Sequence, residues 1–308
     1  MAILNDVPGV EVTVQIAGKG AVEYDPEEEE RHSLAKNATC PTTTKYIECI
    51  DEADFSIKIA ASHRYAWGYK GHSLAFGVWI DGNLILARLI SKPGDMIIRN
   101  QDAFCSQSQQ WKRYKLGFSA VSTTDDCREE RVAQDRKVAR RLGRIRVVVK
   151  RCIKLGLKPV TTRILANHTQ KFELAEKSTK GKAISHGTAF SSMEGAEVGK
   201  YVYHCEYLPG DHGPLAVFDF LYRSRDALQK MLIIPRDPSS PSFAELSPVE
   251  IERLAKERFE QIQRNMSLKN EAEPTLKRKA VKIEDLTEED ENLTSAKRPA
   301  KFIDLTID

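Results

Sequence analysis

Two short segments contain residue types that enzymes use for nucleophilic catalysis or metal binding. Ser73 follows Gly71 and His72, which resembles the setting of a hydrolase nucleophile. A nucleophile elbow, however, needs glycine two residues to each side of the serine, and position 75 is alanine. His204 and Cys205 are adjacent, so on a strand their side chains point to opposite faces and cannot share one metal ion. The sequence therefore predicts no catalytic residue, no cofactor and no metal site.

The last seven residues have the pattern of a peptide that binds by adding a strand to another protein's sheet. Phe302, Ile303 and Leu305 line up as apolar-apolar-acid-apolar around Asp304, and the segment ends in a second acid. In this binding mode the backbone pairs with an exposed strand edge, and the apolar side chains fill a shallow groove. We therefore predict binding to the small ubiquitin-like modifier (SUMO), or to a sumoylated protein. The residues assigned to this contact are Phe302, Ile303, Asp304, Leu305 and Thr306.

A weaker copy of this pattern lies about twenty residues earlier, next to a candidate modification site. Asp-Leu-Thr occurs at 285–287 and again at 304–306, and the earlier copy offers only Ile283 and Leu286 as apolar anchors. Lys282 lies in Val-Lys-Ile-Glu, the acceptor pattern for SUMO conjugation, with acids at 288–291. The alternative is an acidic, apolar chain end of low complexity without a partner.

Two basic clusters in the same tail predict import into the nucleus. Short runs of Lys and Arg in an accessible segment are what an import receptor recognises. The alternatives are ordinary solubility charge and a cytoplasmic location. The residues of the two clusters are Lys277, Arg278, Lys279, Lys297 and Arg298.

A basic stretch at 128–158 is the feature of the body with the clearest chemical potential. It carries twelve Lys or Arg residues against three Asp or Glu. A basic helix followed by a basic strand can present cations to phosphate groups, which gives affinity without sequence specificity. No aromatic residue is interleaved in the stretch, so base stacking is not predicted. The alternative is a solvated helix face followed by an edge strand. The candidate phosphate contacts are Arg140, Arg141, Arg144, Arg146, Lys150 and Arg151.

The overall composition narrows the class of protein. A net charge of +3 over 308 residues is too small for a general nucleic-acid or membrane binder. The N-terminus has no basic and apolar leader, and no window approaches the roughly 20 apolar residues of a membrane span. Six cysteines without a Cys-x-x-Cys pair favour free thiols in a reducing compartment.

The elements that must position these residues are mostly short strands. Alternation of apolar and polar residues predicts a strand at 10–16, and Asp81-Gly82-Asn83 between two apolar runs predicts a hairpin. A helix is expected at 131–142, with Gly143 as its C-cap, and residues 154–199 are read as irregular. Further strands are predicted at 46–50, 55–61, 96–99, 111–121, 144–153, and 201–207 and 215–222 around a turn at 209–214. The predicted fold class is mainly β, a β-sandwich or jelly-roll-like body with one or two short helices.

The chain changes character after this body. Residues 1–235 are expected to form the β-sandwich-like domain, and Pro and Ser at 236–246 predict a linker. Ser247, Pro248 and Glu250 then form a capping box that opens an amphipathic helix at 247–266. Dense charge at 267–308 predicts a disordered tail.

Several separated landmarks resemble a known family. They are Val-Pro-Gly-Val-Glu-Val-Thr-Val at 7–14, Tyr-Ile-Glu at 46–48, Phe-Asp-Phe-Leu-Tyr-Arg-Ser at 218–224 and Leu-Ile-Ile-Pro-Arg at 232–236. Together they resemble an uncharacterised fungal protein family, the domain of unknown function 7918. The resemblance implies a fungal source and a β-sandwich-like body, and it implies no activity, cofactor or catalytic residue.

The sequence thus predicts a non-enzymatic nuclear interaction protein whose tail binds SUMO. One alternative is a nucleic-acid or chromatin binder that uses residues 128–158. The second alternative is an enzyme with a pocket that no motif reveals.

Overall fold

The computed structural model describes residues 2–30, 38–68, 70–105, 108, 110–159, 172–179, 183–193, 201–236, 247–248, 252–253, 256 and 305–306. The described part is mainly β, as the sequence predicts. The helices with defined bounds are α1 (Glu129–Ala139), α2 (Glu176–Thr179) and α3 (Arg225–Lys230). The strands are β1 (Ala2–Ile3), β2 (Val10–Ile16), β3 (Lys19–Gly20), β4 (Glu23–Tyr24), β5 (Thr42–Glu48), β6 (Phe55–Ala61), β7 (His72–Ile80), β8 (Asn83–Ile90), β9 (Gly94–Ile98), β10 (Asn100–Cys105), β11 (Gln110–Ala120), β12 (Ser122–Thr124), β13 (Arg144–Pro159), β14 (Glu173–Ala175), β15 (His186–Met193), β16 (Tyr201–Tyr207), β17 (Ala216–Arg223) and β18 (Leu305–Thr306).

Two large sheets and a smaller, three-stranded one carry the body, together with the two-stranded parallel pair β12-β14. The first large sheet has the order β1-β2-β6-β9, with β3 on β2, and the smaller has the order β10-β11-β15. The second large sheet runs β18-β16-β13-β17-β5-β4, with β7 on β13 and β8 on β7. Strand β13 is therefore the central strand of the largest sheet.

One apolar core is shared by all three of these sheets. Val12 and Ile59 come from the first sheet, Phe118 from the smaller sheet, and Val147 and Phe218 from the largest. Each of these side chains is at most 1% exposed. Burying one such side chain contributes roughly 1.5–3 kcal/mol, so the packed faces of the sheets hold the sandwich together.

Strands β16 and β17 are not a hairpin, although the predicted turn at 209–214 joins them. Both are antiparallel to β13, where β17 pairs with residues 144–149 and β16 with 152–159. They therefore lie end to end along one edge of β13, and the loop between them is an excursion from that edge. The register of β16 shifts between Lys154 and Gly156, which places a bulge in β13.

The hairpin β7–β8 is confirmed, but its turn residues differ from those expected. Asp81 (φ 50°) and Gly82 (φ 78°) adopt the left-handed conformation, whereas Asn83 already begins β8. Two successive positive φ angles match the right-handed twist of the flanking strands. Gly82 is needed for a second reason, because a Cβ there would overlap the side chain of Arg141.

Other boundaries differ from the prediction because tertiary pairing decides them. Helix α1 ends at Ala139 rather than at 142, and β13 continues to 159 rather than stopping at 153. Strand β15 lies in the stretch read as irregular and pairs along β11. Strand β10, which was not predicted, occupies the other edge of β11.

The chain after the body is described only in part. The compact unit of the body contains Met1–Pro235 together with Lys301–Asp308, and Arg236–Ala300 form a second unit. The helix predicted at 247–266 is described at few positions. Helical backbone is seen at Pro248, Glu252, Arg253 and Lys256, and residues 249–251, 254–255 and 257–266 lie outside the described residues. Within the tail predicted to be disordered, β18 pairs antiparallel with β16, Leu305 lying opposite Tyr203 and Thr306 opposite Val202.

Candidate anion-binding face

The basic strand β13 presents its two rows of side chains to different surroundings. Ile145, Val147 and Val149 point into the core and are 0% exposed. Because side chains alternate along a strand, Arg146 and Lys150 lie on the opposite face of the sheet, which we call the outer face. The outer face is thus where this strand can present positive charge.

A groove of about 420 Å³ on the outer face collects the cations. Trp79 of β7 is directly opposite Arg146 in the pairing with β13. Arg140 and Arg141 enter from the segment that follows α1 and are exposed. The groove is lined by Trp79, Gly82, Arg140, Arg141, Arg144, Arg146, Val148, Lys150 and Pro214. Five of the six residues predicted to contact phosphate therefore line one groove.

Two glycines allow the groove to have its shape. A Cβ at Gly77 would overlap the indole of Trp79, so that ring lies over the backbone of its own strand at this point. Gly82 in the β7–β8 turn allows Arg141 to pack over it in the same way. The close approach of both side chains brings an aromatic surface and a cation to the same groove.

Asp219 is buried under the groove and binds two of its arginines. Arg144 donates to its carboxylate through Nε at 2.9 Å and Nη2 at 2.5 Å, and Arg146 through Nε at 2.9 Å and Nη2 at 3.0 Å. Burial alone would raise the pKa of Asp219, but the hydrogen bonds from the two arginines outweigh it and the pKa lies below its usual value. One carboxylate therefore fixes two guanidinium groups and leaves the pair with a net positive charge.

The row of cations continues along β13 with aromatic neighbours from β16. Lys150 Nζ donates to Tyr207 Oη at 2.5 Å and lies 5.0 Å from the centre of that ring. Lys154 Nζ lies 4.4 Å from the centre of the Tyr203 ring. From Arg146 to Lys154 the strand spans roughly 26 Å. Positive charges and aromatic rings lie side by side along this length.

A buried network holds the turn beside the groove in place. The Asp81 carboxylate accepts hydrogen bonds from Gly143 N at 2.8 Å, Thr188 N at 2.8 Å and Tyr222 Oη at 2.7 Å. Burial raises the pKa of Asp81 above its usual value, while these hydrogen bonds act against that rise. The network ties the β7–β8 turn to the start of β13 and so positions the groove residues on both elements.

Arg151, the sixth predicted phosphate contact, does not line the groove. It follows Lys150 directly, so its side chain points to the other face of the sheet. There its guanidinium forms an ion pair with Asp211 on the loop between β16 and β17. Because side chains alternate along a strand, Arg151 lies on the opposite face from Arg146 and Lys150.

The remaining predicted site residues lie mostly outside the described residues. Leu305 and Thr306 form β18, so the candidate SUMO-binding segment has extended backbone at these positions. The others outside the described residues are Phe302, Ile303, Asp304, Ile283, Leu286, Lys282, Lys277, Arg278, Lys279, Lys297 and Arg298.

The described residues contain other groups that can be compared with the sequence expectations. The Ser73 Oγ is buried and lies 3.0 Å from Ser91 Oγ. The six cysteines, all of which lie within the described residues, are thiols rather than disulfides. Within the described part of the chain, no group of three or more His, Cys, Asp or Glu residues could hold a metal ion. No helix in that part is long and apolar enough to cross a membrane.

Sequence reasoning missed the aromatic side of the groove and its buried acid. Trp79, Tyr203 and Tyr207 reach the basic strand from neighbouring strands, so a search within 128–158 could not find them. A signal for Asp219 does exist in the sequence, because it is an acid between two phenylalanines in an apolar strand. A buried acid at such a position requires a cationic partner.

Comparison with known proteins identifies a family without an assigned activity. A family model described as domain of unknown function (DUF7918) matches residues 9–237. Searches of curated proteins and of solved structures found no match. The comparisons therefore give the family of the body, and the groove has to be interpreted from its own chemistry.

Proposed function

We propose that this chain, which belongs to the family of the domain of unknown function DUF7918, is a non-enzymatic protein that binds nucleic acid through its outer face. The observation that carries this proposal is the groove in which Arg140, Arg141, Arg144, Arg146 and Lys150 surround Trp79.

The chemistry of the groove favours a polyanion with flat bases over a simple anion. Cations on a strand and an adjacent loop can follow a phosphate backbone, which supplies affinity that does not depend on sequence. Trp79, Tyr203 and Tyr207 offer ring surfaces, and stacking of a base on an aromatic side chain is worth roughly 1–3 kcal/mol. A single strand exposes its bases for such stacking, so we propose a single-stranded ligand.

Two neighbouring residues on opposite faces of β13 give a matched test. Lys150→Gln removes a cation of the groove and should weaken binding of the full-length protein to a labelled single-stranded oligonucleotide by roughly tenfold. Arg151→Gln removes the same charge from the other face and should leave the affinity unchanged. Fluorescence anisotropy at low salt measures both variants. Equal losses in the two variants, or the absence of binding by the wild-type protein, would contradict the proposal.

A second candidate function belongs to the C-terminal segment, which we propose binds SUMO or a sumoylated protein. The observation that favours it is the extended backbone of Leu305–Thr306, which pairs as a strand with a sheet edge. Binding by strand addition requires this conformation. One such contact is expected to be weak, roughly micromolar to tens of micromolar, because the segment loses conformational entropy on docking.

Capture on immobilised SUMO tests this second function. Ile303→Ala together with Leu305→Ala should abolish retention of the full-length protein. The matched control, Ile283→Ala together with Leu286→Ala, changes the weaker copy and should reduce retention only slightly. Retention of the first double variant at the wild-type level would remove the segment as a SUMO-binding site.

Modification and nuclear import complete the proposal. Lys282 is proposed as a SUMO acceptor, so Lys282→Arg should remove the conjugate formed by purified conjugating enzymes.

Two basic clusters of the tail are proposed to bind an import receptor. Their residues are Lys277, Arg278, Lys279, Lys297 and Arg298. Replacing all five with Ala should move a fluorescently tagged chain from the nucleus to the cytoplasm, and an unchanged nuclear signal would refute the import assignment.

A further inference from the structure

Strand β16 has one edge that pairs with no strand of the body among the residues the structure describes. One edge pairs with β13 along residues 152–159. The opposite edge pairs with β18, which also lies beside β8. An uncovered strand edge presents a row of backbone N–H and C=O groups that favours pairing with another strand. The end of the same chain supplies that strand.

The surface beside this edge is apolar as well as basic. Leu157, which is opposite Tyr203, is 54% exposed, and Leu155 and Tyr201 are 52% and 51% exposed. Such a concentration of exposed apolar side chains marks a binding surface rather than an ordinary exterior. The last residues of the chain contain Phe302 and Ile303, which match this surface in chemical character.

Charge at the edge also matches the segment. Lys158 is opposite Val202, the residue with which Thr306 pairs. Tyr203 lines a second cavity, of about 640 Å³, in which the cations outnumber the acids; the cations are Arg88, Lys92, Arg99, Arg113 and Lys154, and the acids are Asp95 and Asp102. The sequence of the segment contains Asp304 and Asp308, so its acidic character is complementary to this basic surface.

We propose that the C-terminal segment Lys301–Asp308 is an intramolecular ligand of the β16 edge. Backbone pairing at Val202 and Tyr203 holds it, and the apolar and basic surface around that edge selects it. The proposal concerns a docking site within the body and stands whether or not the outer face binds nucleic acid. It also implies that SUMO and the β16 edge compete for the same residues. The apparent affinity of the full-length chain for SUMO therefore falls as the docked fraction rises.

Hydrogen exchange at β16 tests the docking without any added partner. Leu305→Pro removes a backbone N–H and disfavours strand pairing. Successive amides of a strand point to opposite edges, so only one of the Val202 and Tyr203 amides faces β18. In the full-length protein this variant should exchange that amide roughly tenfold faster than wild type, while the amide that faces β13 serves as an internal control. The matched control is Leu286→Pro, the same substitution in the other Asp-Leu-Thr sequence, which should leave both amides unchanged. A synthetic peptide with the sequence of residues 299–308 should restore protection to the Leu305→Pro variant.

The outcomes separate this inference from the proposed functions. Identical exchange at Val202 and Tyr203 in wild type and Leu305→Pro would overturn it, even if SUMO capture still depended on Ile303 and Leu305. Protection that rises with protein concentration would also overturn it, because the occupant would then be a second copy of the chain. Normal docking with no SUMO capture would leave the inference standing and remove the second proposed function.

Discussion

At the scale of single residues, Asp219 is the buried acid that pairs with two arginines of the outer face. Its carboxylate is 1% exposed and binds Arg144 and Arg146, two cations of the groove. A buried acid of this kind organises the arginines, but it also offsets part of the positive charge that a phosphate would meet. Stability and ligand affinity are therefore expected to respond to this residue in opposite directions.

Asp219→Asn should separate these two effects. Loss of the charged hydrogen bonds should lower the free energy of unfolding by about 1–3 kcal/mol, measured by urea denaturation. Removal of one negative charge should at the same time strengthen oligonucleotide binding severalfold. The matched control is Asp211→Asn, which breaks the pair with Arg151 on the other face. It should lower stability without changing affinity, and weaker binding by Asp219→Asn would contradict the account.

The pH dependence of stability should carry the signature of the same carboxylate. The pKa of Asp219 in the folded protein lies below its usual 3.8, so its ionised form stabilises the fold. This contribution is fully present above the unfolded pKa and is lost as the pH falls through the lower folded pKa. The stability difference between wild type and Asp219→Asn should thus be constant from about pH 7 to about pH 5 and shrink below about pH 4. A difference that grows on acidification would be inconsistent with this assignment.

At the scale of elements, strand β7 places an aromatic platform beside the basic strand. Gly77 leaves room for the indole of Trp79, and pairing puts Trp79 opposite Arg146. Gly77→Ala should displace the ring, lower stability by about 1–3 kcal/mol and weaken oligonucleotide binding. Gly94→Ala in β9 is the control, because its Cβ would make only ordinary contact, with Lys92 O at 3.8 Å. Equal effects of the two substitutions in denaturation and binding assays would argue against the platform.

The sequence predicts elements well where the local pattern is decisive. Alternation gave β2 at its observed bounds, and the turn signal at 81–83 gave the β7–β8 hairpin. Long-range pairing carries no such local signal, so β15 and the end-to-end arrangement of β16 and β17 were missed. The candidate site shows the same difference between local patterns and long-range pairing. The cations could be found in one basic stretch, whereas Trp79 and Asp219 come from distant parts of the chain.

Strand period also explains why one predicted phosphate contact, Arg151, lies away from the groove. Lys150 and Arg151 are indistinguishable by composition, and both lie in the basic run. Once residues 144–150 are known to form a strand, its period of two assigns Arg144, Arg146 and Lys150 to one face and Arg151 to the other. If that period is applied to the whole stretch, the sequence alone separates Arg151 from Arg144, Arg146 and Lys150.

At the scale of the whole molecule, a basic face and an acidic chain end occur in one protein. The chain has a net charge of only +3, although residues 128–158 carry twelve cations against three acids. The positive charge is therefore concentrated on one part of the body and balanced elsewhere. Such an uneven distribution favours a local polyanion site over general adhesion to charged surfaces.

The salt dependence of oligonucleotide binding by the full-length protein tests the central claim most directly. Five groove cations that displace counterions should give a slope of log affinity against log salt of roughly −3.5, at about −0.7 for each phosphate neutralised on a single strand. Arg140→Gln with Arg141→Gln should reduce the magnitude of that slope by about 1.4, because two contacts are lost. Fluorescence anisotropy from about 25 to 200 mM salt covers the range in which such contacts weaken. A flat titration, or a slope that the double substitution does not change, would contradict nucleic-acid binding at the outer face.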